Sequence, residues 1–181
     1  PNIAYTSMKY TDQKEWVNEL KDRVIVNPDS SVSVCILDTG VNNTHPLLEN
    51  ILEDEDKHTF ETLWGVDDHN SHGTEMSGIA AYGNLNEYLT TTANVELNHT
   101  LASYKILPPT GDNEVNLWGY ITSQAVSERT IKESGKIHIF SMSVTANDVN
   151  GDIPDGTPSS WSSAIDNELF NCDTKKLFCI S

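Results

Sequence analysis

The stretch Val32-Ser33-Val34-Cys35-Ile36-Leu37-Asp38-Thr39-Gly40-Val41 decides the fold of this chain. Residues 32–37 form an almost continuous apolar run, which is typical of a strand buried on both faces of a parallel sheet. Asp38 follows the run directly, and Gly40 lets the chain turn sharply behind it. The stretch therefore predicts a carboxylate at the carboxyl end of a buried strand, where open α/β sheets collect their functional groups.

A second motif, Asn70-Ser71-His72-Gly73-Thr74, opens an apolar segment of small residues. The segment predicts a helix over 72–82, so His72 lies at a helix start, and Gly73 lets the first turn approach a cleft closely. Taken singly, a strand-end aspartate and a helix-start histidine each have an ordinary structural explanation. Together they match two members of a nucleophilic triad that runs Asp, His, Ser along the chain.

The rest of the chain alternates between apolar strands and amphipathic helices. This alternation predicts an α/β fold, in which a parallel sheet carries helices on both faces. Residues 1–31 are predicted to be an N-terminal helical extension that packs on a domain formed by residues 32–181, with a turn between them. The predicted strands cover 32–37, 58–61, 101–107, 137–143 and 177–181, the helices cover 12–24, 72–82, 115–134 and 157–170, and 84–98 is a long loop. The last helix is predicted to begin with Thr157 as its cap and Pro158 as its first residue.

Charge and cysteine content restrict the partners and the compartment. The net charge of −16 argues against nucleic acid and anionic membranes as partners. No segment approaches the apolar length of a membrane span. Cys35, Cys172 and Cys179 are odd in number and lack metal-ligand spacing, so Cys35 and Cys179 are predicted to be small buried hydrophobes. With no visible signal peptide and a start at Pro1, we expect a cut or processed N-terminus and a cytoplasmic protein.

Four segments carry a resemblance to a known family. They are the Asp38 motif followed by His45-Pro46, the His72 motif from Asn70 to Ala81, Ala102-Ser103-Tyr104-Lys105-Ile106-Leu107, and Ile139-Phe140-Ser141-Met142-Ser143-Val144. In this order they resemble the subtilases, the subtilisin-like serine proteases. The resemblance spans about residues 32–181 and implies a serine endopeptidase. It implies that His72 is the general base and acid, and that Asp38 orients the imidazole.

The resemblance also implies how a peptide or protein substrate binds. In this family the substrate lies as an extended strand along a sheet edge. Ser143, Val144 and Thr145 would form one edge, and residues 110–114, with Gly111, would form the opposing edge. Thr145 stands where the family has glycine, and we expect its side chain to narrow the primary side-chain pocket.

Residues 1–181 do not contain the serine motif Gly-Thr-Ser-Met-Ala. Lys176-Leu177-Phe178-Cys179-Ile180-Ser181 resembles the strand that precedes the family's oxyanion-stabilising Asn. We therefore expect the N-terminal portion of a subtilase catalytic domain, incomplete at its C-terminus and inactive by itself, because the nucleophile and the oxyanion donor are absent. The open edge of this last strand is expected to contact a second chain or the missing C-terminal part.

Two other functions compete with that of a protease. A catalytically inactive subtilase-like module that binds peptides or a protein partner is the main one. A nucleotide-binding protein is disfavoured, because no glycine-rich phosphate loop follows any predicted strand. The histidines near Asp67 and Asp68 could suggest zinc, but a catalytic His72 needs its nitrogens free, so no metal ligand is assigned. The chemistry needs no cofactor; subtilases often bind structural calcium through loop oxygens, yet no segment here has a specific calcium spacing.

Overall fold

The structure, a computed structural model, describes residues 7–145, 157–170 and 175–181. Within them a central parallel sheet is flanked by helices. Single turns of 3₁₀ helix cover Asp54–Asp56, Thr62–Trp64 and Val115–Leu117. The strands are β1 (Val24–Val26), β2 (Val32–Asp38), β3 (Lys57–Thr59), β4 (Val95–Leu97), β5 (Thr100–Lys105), β6 (Ile137–Met142) and β7 (Lys176–Ile180). The helices are α1 (Tyr10–Arg23), α2 (His72–Tyr82), α3 (Leu85–Leu89), α4 (Trp118–Lys132) and α5 (Ser160–Phe170).

Strand β2 lies in the middle of a five-stranded sheet with the order β3-β5-β2-β6-β7. Every neighbouring pair in this sheet is parallel, which confirms the predicted α/β class. The register sets Asp38 of β2 beside Lys105 of β5. Because both strands end at these residues, the carboxyl end of β2 opens between the segments that follow β5 and β6.

The two faces of β2 belong to two separate apolar cores, because successive side chains of a strand point to opposite faces. Val34 and Ile36 belong to the core that α1 and α2 cover. Cys35 and Leu37 belong to the core that α4 and α5 cover. Burial of an aliphatic side chain of this size contributes about 1.5–3 kcal/mol, so both faces hold the strand in place. The prediction of helices on both faces is confirmed.

Two predicted elements are wrong. The segment 84–98 is not a plain loop, because it contains α3 and β4, and β4 pairs in parallel with β1 as a separate two-stranded sheet. The last helix begins at Ser160 rather than at Thr157. Its cap is Ser159, whose Oγ accepts a hydrogen bond from the backbone N of Ser162 at 3.1 Å. Residues 146–156 and Cys172 lie outside the described residues.

The cysteines divide between core and surface. Burial raises the pKa of the Cys35 thiol to about 12, so this side chain is an inert part of the core, as predicted. Cys179 is exposed, and its predicted burial is wrong. The reason is that β7 forms an edge of the sheet, with Leu177 and Ile180 also exposed. The contact expected along this edge stays a prediction.

The N-terminal helix α1 contacts the core through Leu20, which is fully buried. Strand β1 follows α1 directly and is held by β4. The division of the chain at residue 31 stays a prediction. Among the helices in the described ranges, none combines the length and the apolar character that a bilayer crossing requires.

Candidate active site

Asp38 and His72 meet at the carboxyl end of β2. Asp38 is the last residue of the strand and is 1 % exposed, whereas His72 is the first residue of α2 and its side chain is 43 % exposed. The imidazole Nδ1 lies 2.9 Å from Oδ1 and 2.9 Å from Oδ2 of Asp38. This confirms the expected contact between the two side chains, although their catalytic roles stay predictions.

The backbone around Asp38 fixes its carboxylate. The backbone N of Thr39 donates to Oδ1 at 2.8 Å. The carbonyl of Asp38 accepts a hydrogen bond from the backbone N of Ile106 at 2.9 Å, which continues the β2–β5 pairing past the end of β5. The carboxylate therefore accepts one hydrogen bond from a backbone N–H and one from the imidazole of His72. It lies at the end of a strand that pairs with β5 on one side and β6 on the other.

Two glycines bring the strand end and the helix start into contact. Gly40 has φ +99°, and a Cβ there would lie 2.6 Å from the carbonyl oxygen of Val66. A Cβ on Gly73 would lie 2.1 Å from the carbonyl oxygen of Gly40. Real Cβ atoms do not approach an oxygen this closely, so the first turn of α2 reaches Asp38 only because residue 73 has no side chain. Both glycine predictions are confirmed.

The environment of His72 makes its imidazole a stronger base. The hydrogen bond to Asp38 raises the pKa of His72 above its usual value, and the charges of Asp38, Glu75 and Asp68 add to the rise, against a smaller opposing effect of burial. With Nδ1–H donating to the carboxylate, the tautomer leaves the lone pair on Nε2. Among the described residues, Nε2 has no hydrogen-bond partner, so it is available to take a proton from a second group.

The predicted substrate-binding residues lie in two places. Val144 and Thr145 line a cavity of about 180 Å³ together with Asp112 and Asn113 of the segment that follows β5. Ser143 precedes Val144 in the sequence but does not line the cavity. Gly111 does not line it either; it has φ +74°, and a Cβ there would have no atom of the described residues within 4 Å beyond its chain neighbours. Sequence reasoning missed the two indoles that also line the cavity, those of Trp118 and Trp161. Their spacing gave no signal, because they come from different helices.

The acidic residues before α2 also have structural partners. Asp67 Oδ1 accepts a hydrogen bond from Lys57 Nζ at 2.8 Å, and His69 Nδ1 lies 3.2 Å from the carbonyl oxygen of Thr39. Asp68 accepts hydrogen bonds from Thr39, which follows Asp38, and from Thr74, which lies two residues after His72. Sequence reasoning missed this role. In residues 7–145, 157–170 and 175–181, no three His, Cys, Asp or Glu side chains are grouped so that they could hold a metal ion.

A sequence model described as the subtilase family matches residues 29–181 of this chain. No curated protein matches this chain. Among solved structures, it is similar to the S41 psychrophilic protease, with a TM-score of 0.54 and 20 % identity over 86 % of this chain and 46 % of that one. It is similar to sphericase, with a TM-score of 0.53 and 23 % identity over 83 % of this chain and 45 % of that one. It is also similar to the CspB protease of Clostridium perfringens, with a TM-score of 0.56 and 18 % identity over 83 % of this chain and 35 % of that one.

At these identities the likeness to the solved structures shows the fold alone. The chain spans less than half of the length of each of these structures.

Proposed function

The chain belongs to the subtilase family, and we propose that the protein is a serine endopeptidase of the subtilisin type, which hydrolyses peptide bonds. The observation that carries the proposal is the 2.9 Å contact of His72 Nδ1 with both carboxylate oxygens of Asp38. This contact is the half of an Asp–His–Ser triad that orients and activates the base. The exposed side chain of His72 leaves room for a nucleophile at Nε2.

In the proposed reaction His72 moves one proton. Nε2 takes the proton from the serine hydroxyl while the serine oxygen bonds to the scissile carbonyl carbon. The imidazolium then gives that proton to the leaving amine as the carbon–nitrogen bond breaks. A water then attacks the acyl carbon while Nε2 takes its proton, and that proton passes to the serine oxygen as the acyl group is released. The carboxylate of Asp38 holds the Nδ1–H tautomer and stabilises the imidazolium in both halves of the reaction.

The serine nucleophile and the oxyanion-stabilising Asn belong, in this proposal, to a part of the protein outside residues 1–181. No serine in these residues lies in a Gly-Thr-Ser-Met-Ala motif. The 181-residue chain by itself should therefore neither hydrolyse peptides nor react with a fluorophosphonate probe. Robust labelling that disappears on substitution of one of its own serines would contradict this.

The proposed substrate is a peptide in extended conformation between residues 143–145 and 110–114. Val144 and Thr145 lie against the same cavity as Asp112 and Asn113, so a peptide between the two segments would pass over it. Ser143, which directly follows β6, would pair with the peptide backbone rather than enter the cavity, and Gly111 would leave room for that backbone. Asp112 adds a negative charge at the cavity, which favours substrates without acidic side chains there.

The test is hydrolysis of a fluorogenic peptide by the full-length protein. His72→Ala removes the proposed base and should lower kcat by roughly 10⁴-fold or more. The matched control is His69→Ala, which removes an exposed imidazole three positions away and should retain most of the activity. Undiminished hydrolysis in His72→Ala would overturn the proposal. A full-length protein that binds peptides without cleaving them would favour the inactive binding module instead.

A further inference from the structure

The side chain of Asp68 joins the two elements that carry Asp38 and His72. Its Oδ1 accepts a hydrogen bond from Thr39 Oγ1 at 2.8 Å, and Thr39 is the residue that follows Asp38. Its Oδ2 accepts from the backbone N and the hydroxyl of Thr74 at 2.8 and 2.6 Å, in the first turn of α2. The carboxylate thus bridges the end of the strand and the start of the helix.

The same carboxylate holds the residue immediately before His72. Ser71 has φ +76°, a left-handed conformation that costs a residue with a side chain roughly 1 kcal/mol. The backbone N–H groups of Asn70 and Ser71 donate to Oδ1 of Asp68 at 3.1 and 3.0 Å. These bonds compensate the strained turn, and the turn sets the direction in which His72 leaves the backbone.

A second link runs through Thr39. Its hydroxyl accepts a hydrogen bond from the backbone N of Gly73 at 3.1 Å while it donates to Asp68. The chain of bonds Gly73–Thr39–Asp68–Thr74 is therefore closed around the start of α2. None of these groups contacts Nε2 of His72. Apart from the charge of Asp68, which helps to raise the pKa of His72, they would therefore influence the reaction through position.

The loop that carries Asp68 is itself anchored to the sheet. Lys105, the last residue of β5, is 1 % exposed, and its Nζ donates to the carbonyl oxygens of Asp67 at 2.6 Å and Trp64 at 3.3 Å. Burial alone would raise the pKa of Asp68, but hydrogen bonds from Thr74, Asn70 and Thr39 hold it below its usual value. The Asp68 carboxylate is therefore ionised throughout the pH range in which His72 could act as a base, and it keeps these hydrogen bonds there.

Resting on the proposed function, we propose that Asp68 is a positioning residue for the reaction: its carboxylate sets the distance and direction of His72 relative to Asp38. Asp68→Asn replaces an acceptor oxygen by an NH₂ group facing N–H or O–H donors, so the bridge should open. A misplacement of this kind costs about 10²-fold in rate, so kcat should fall by that factor while KM changes little.

The matched control is Asp67→Asn. It removes the same charge one position away, from an exposed carboxylate whose side chain binds Lys57 rather than α2. Thr39→Val cuts the bridge while leaving the charge of Asp68 in place, and should lower kcat by about tenfold, the value of one hydrogen bond. Thr39→Ser keeps the hydroxyl and should restore kcat.

The experiment combines peptide hydrolysis by the full-length protein with NMR titration of ¹³C-labelled histidine. Asp68→Asn and Thr39→Val should both lower the pKa of His72, because both loosen its hydrogen bond to Asp38. Asp68→Asn also removes a charge that raises this pKa, so Thr39→Val isolates the effect of position. Asp67→Asn and Thr39→Ser should resemble the wild type. A folded Asp68→Asn variant whose kcat and titration match those of Asp67→Asn would overturn the inference. If Asp68→Asn does not fold, an unchanged Thr39→Val overturns it. Hydrolysis that survives His72→Ala would instead contradict the proposed function.

Discussion

The Asp38–His72 site and the Arg129 cluster (Asp56, His58, Arg129, Glu133 and His138) both combine histidines with charged groups. They differ in what faces the imidazole. The exposed His72 faces a carboxylate, and its pKa is raised. Burial lowers the pKa of His58, and the neighbouring cations Lys132 and Arg129 lower it further. The same side chain is thus made basic in one place and kept neutral in the other.

The Arg129 cluster has a structural role and is centred on a buried guanidinium of α4. The guanidinium is 1 % exposed, and Nη1 donates to Asp56 Oδ1 at 3.0 Å while Nη2 donates to Glu133. His138 Nε2 donates to the carbonyl oxygen of Glu133 at 3.1 Å. Its buried Nδ1 and the buried Arg129 Nε have no hydrogen-bond partner within the described part of the chain. A group enclosed in this way stabilises the fold but cannot exchange protons with a substrate. Access to solvent thus separates the proposed reactive site from the structural cluster.

The largest expected effect is on the reactive side of this comparison. Asp38→Asn leaves a neutral side chain that can stabilise the wrong tautomer of His72, and under the proposed function should lower kcat by about 10⁴-fold, as measured for a trypsin-type triad. Peptide hydrolysis by the full-length protein measures it. Asp67→Asn, an exposed aspartate outside the pair, serves as the control. A loss of less than tenfold would mean that the contact does not activate the imidazole.

The next effect is on the structural side. Arg129→Met removes the buried cation between the partly buried carboxylates of Asp56 and Glu133, and should lower the free energy of unfolding by about 3 kcal/mol because both carboxylates lose a partner. Lys21→Met breaks the solvent-accessible ion pair with Glu49 and should cost less than about 1 kcal/mol. Urea unfolding of both variants provides the measurement. Equal effects would show that enclosure of the Arg129 cluster contributes nothing.

A third prediction concerns the glycine that lets α2 reach Asp38. Gly73→Ala places a methyl group 2.1 Å from the carbonyl oxygen of Gly40, so the helix start must move, and kcat should fall by about 10²-fold. Gly78→Ala lies in the same helix, where a Cβ would have no atom of the described residues within 4 Å beyond its own helix backbone and chain neighbours. That control should gain up to about 1 kcal/mol in stability from helix propensity and keep its activity. Similar kinetics for the two variants would disprove the steric argument.

The sequence alone predicts the parts of the site that depend on local patterns. The apolar run before Asp38 and the small residues after His72 specify a strand end and a helix start, and the family motifs join them. Asp68 could not be found in this way. Its donors come from Thr39, Thr74 and the turn between them, and only the folded chain brings these groups around one carboxylate.

Short elements were missed for a different reason. Helix α3 has too few residues to show a helical period, and it depends on Asn84, whose side chain accepts from the backbone N of Asn86, and on packing of Leu85 and Leu89 against the core. Strand β4 shows alternation only in Val95 and Leu97, and it needs β1 as a partner. In both cases tertiary contacts decide the structure, because local preference over so few residues is weak.

The smallest expected effect compares the two kinds of histidine through the pH dependence of stability. The folded pKa of His58 is below that of the unfolded chain, about 6.5, so the unfolded state binds more protons and stability falls as the pH is lowered through that value. The charged groups that act on His58 are Lys132, Arg129, Asp56 and Glu128, and its ring stacks on that of Tyr104. His58→Gln removes this proton linkage and should flatten the decline between about pH 7.5 and 5, by less than about 1.4 kcal/mol per pH unit, the limit for one proton.

His72→Gln should change the same curve in the opposite direction. The raised pKa of His72 gives stability that is present at low pH and is lost as the pH rises through the folded pKa, so removal of His72 steepens the acid decline. The lowered pKa values of Asp56, Asp68 and Glu133 act below this range, and measurements kept above pH 5 separate them. Urea midpoints across this window provide the test. Changes of the same sign in both variants would mean that burial controls His72 as it controls His58, and that Asp38 does not make His72 basic.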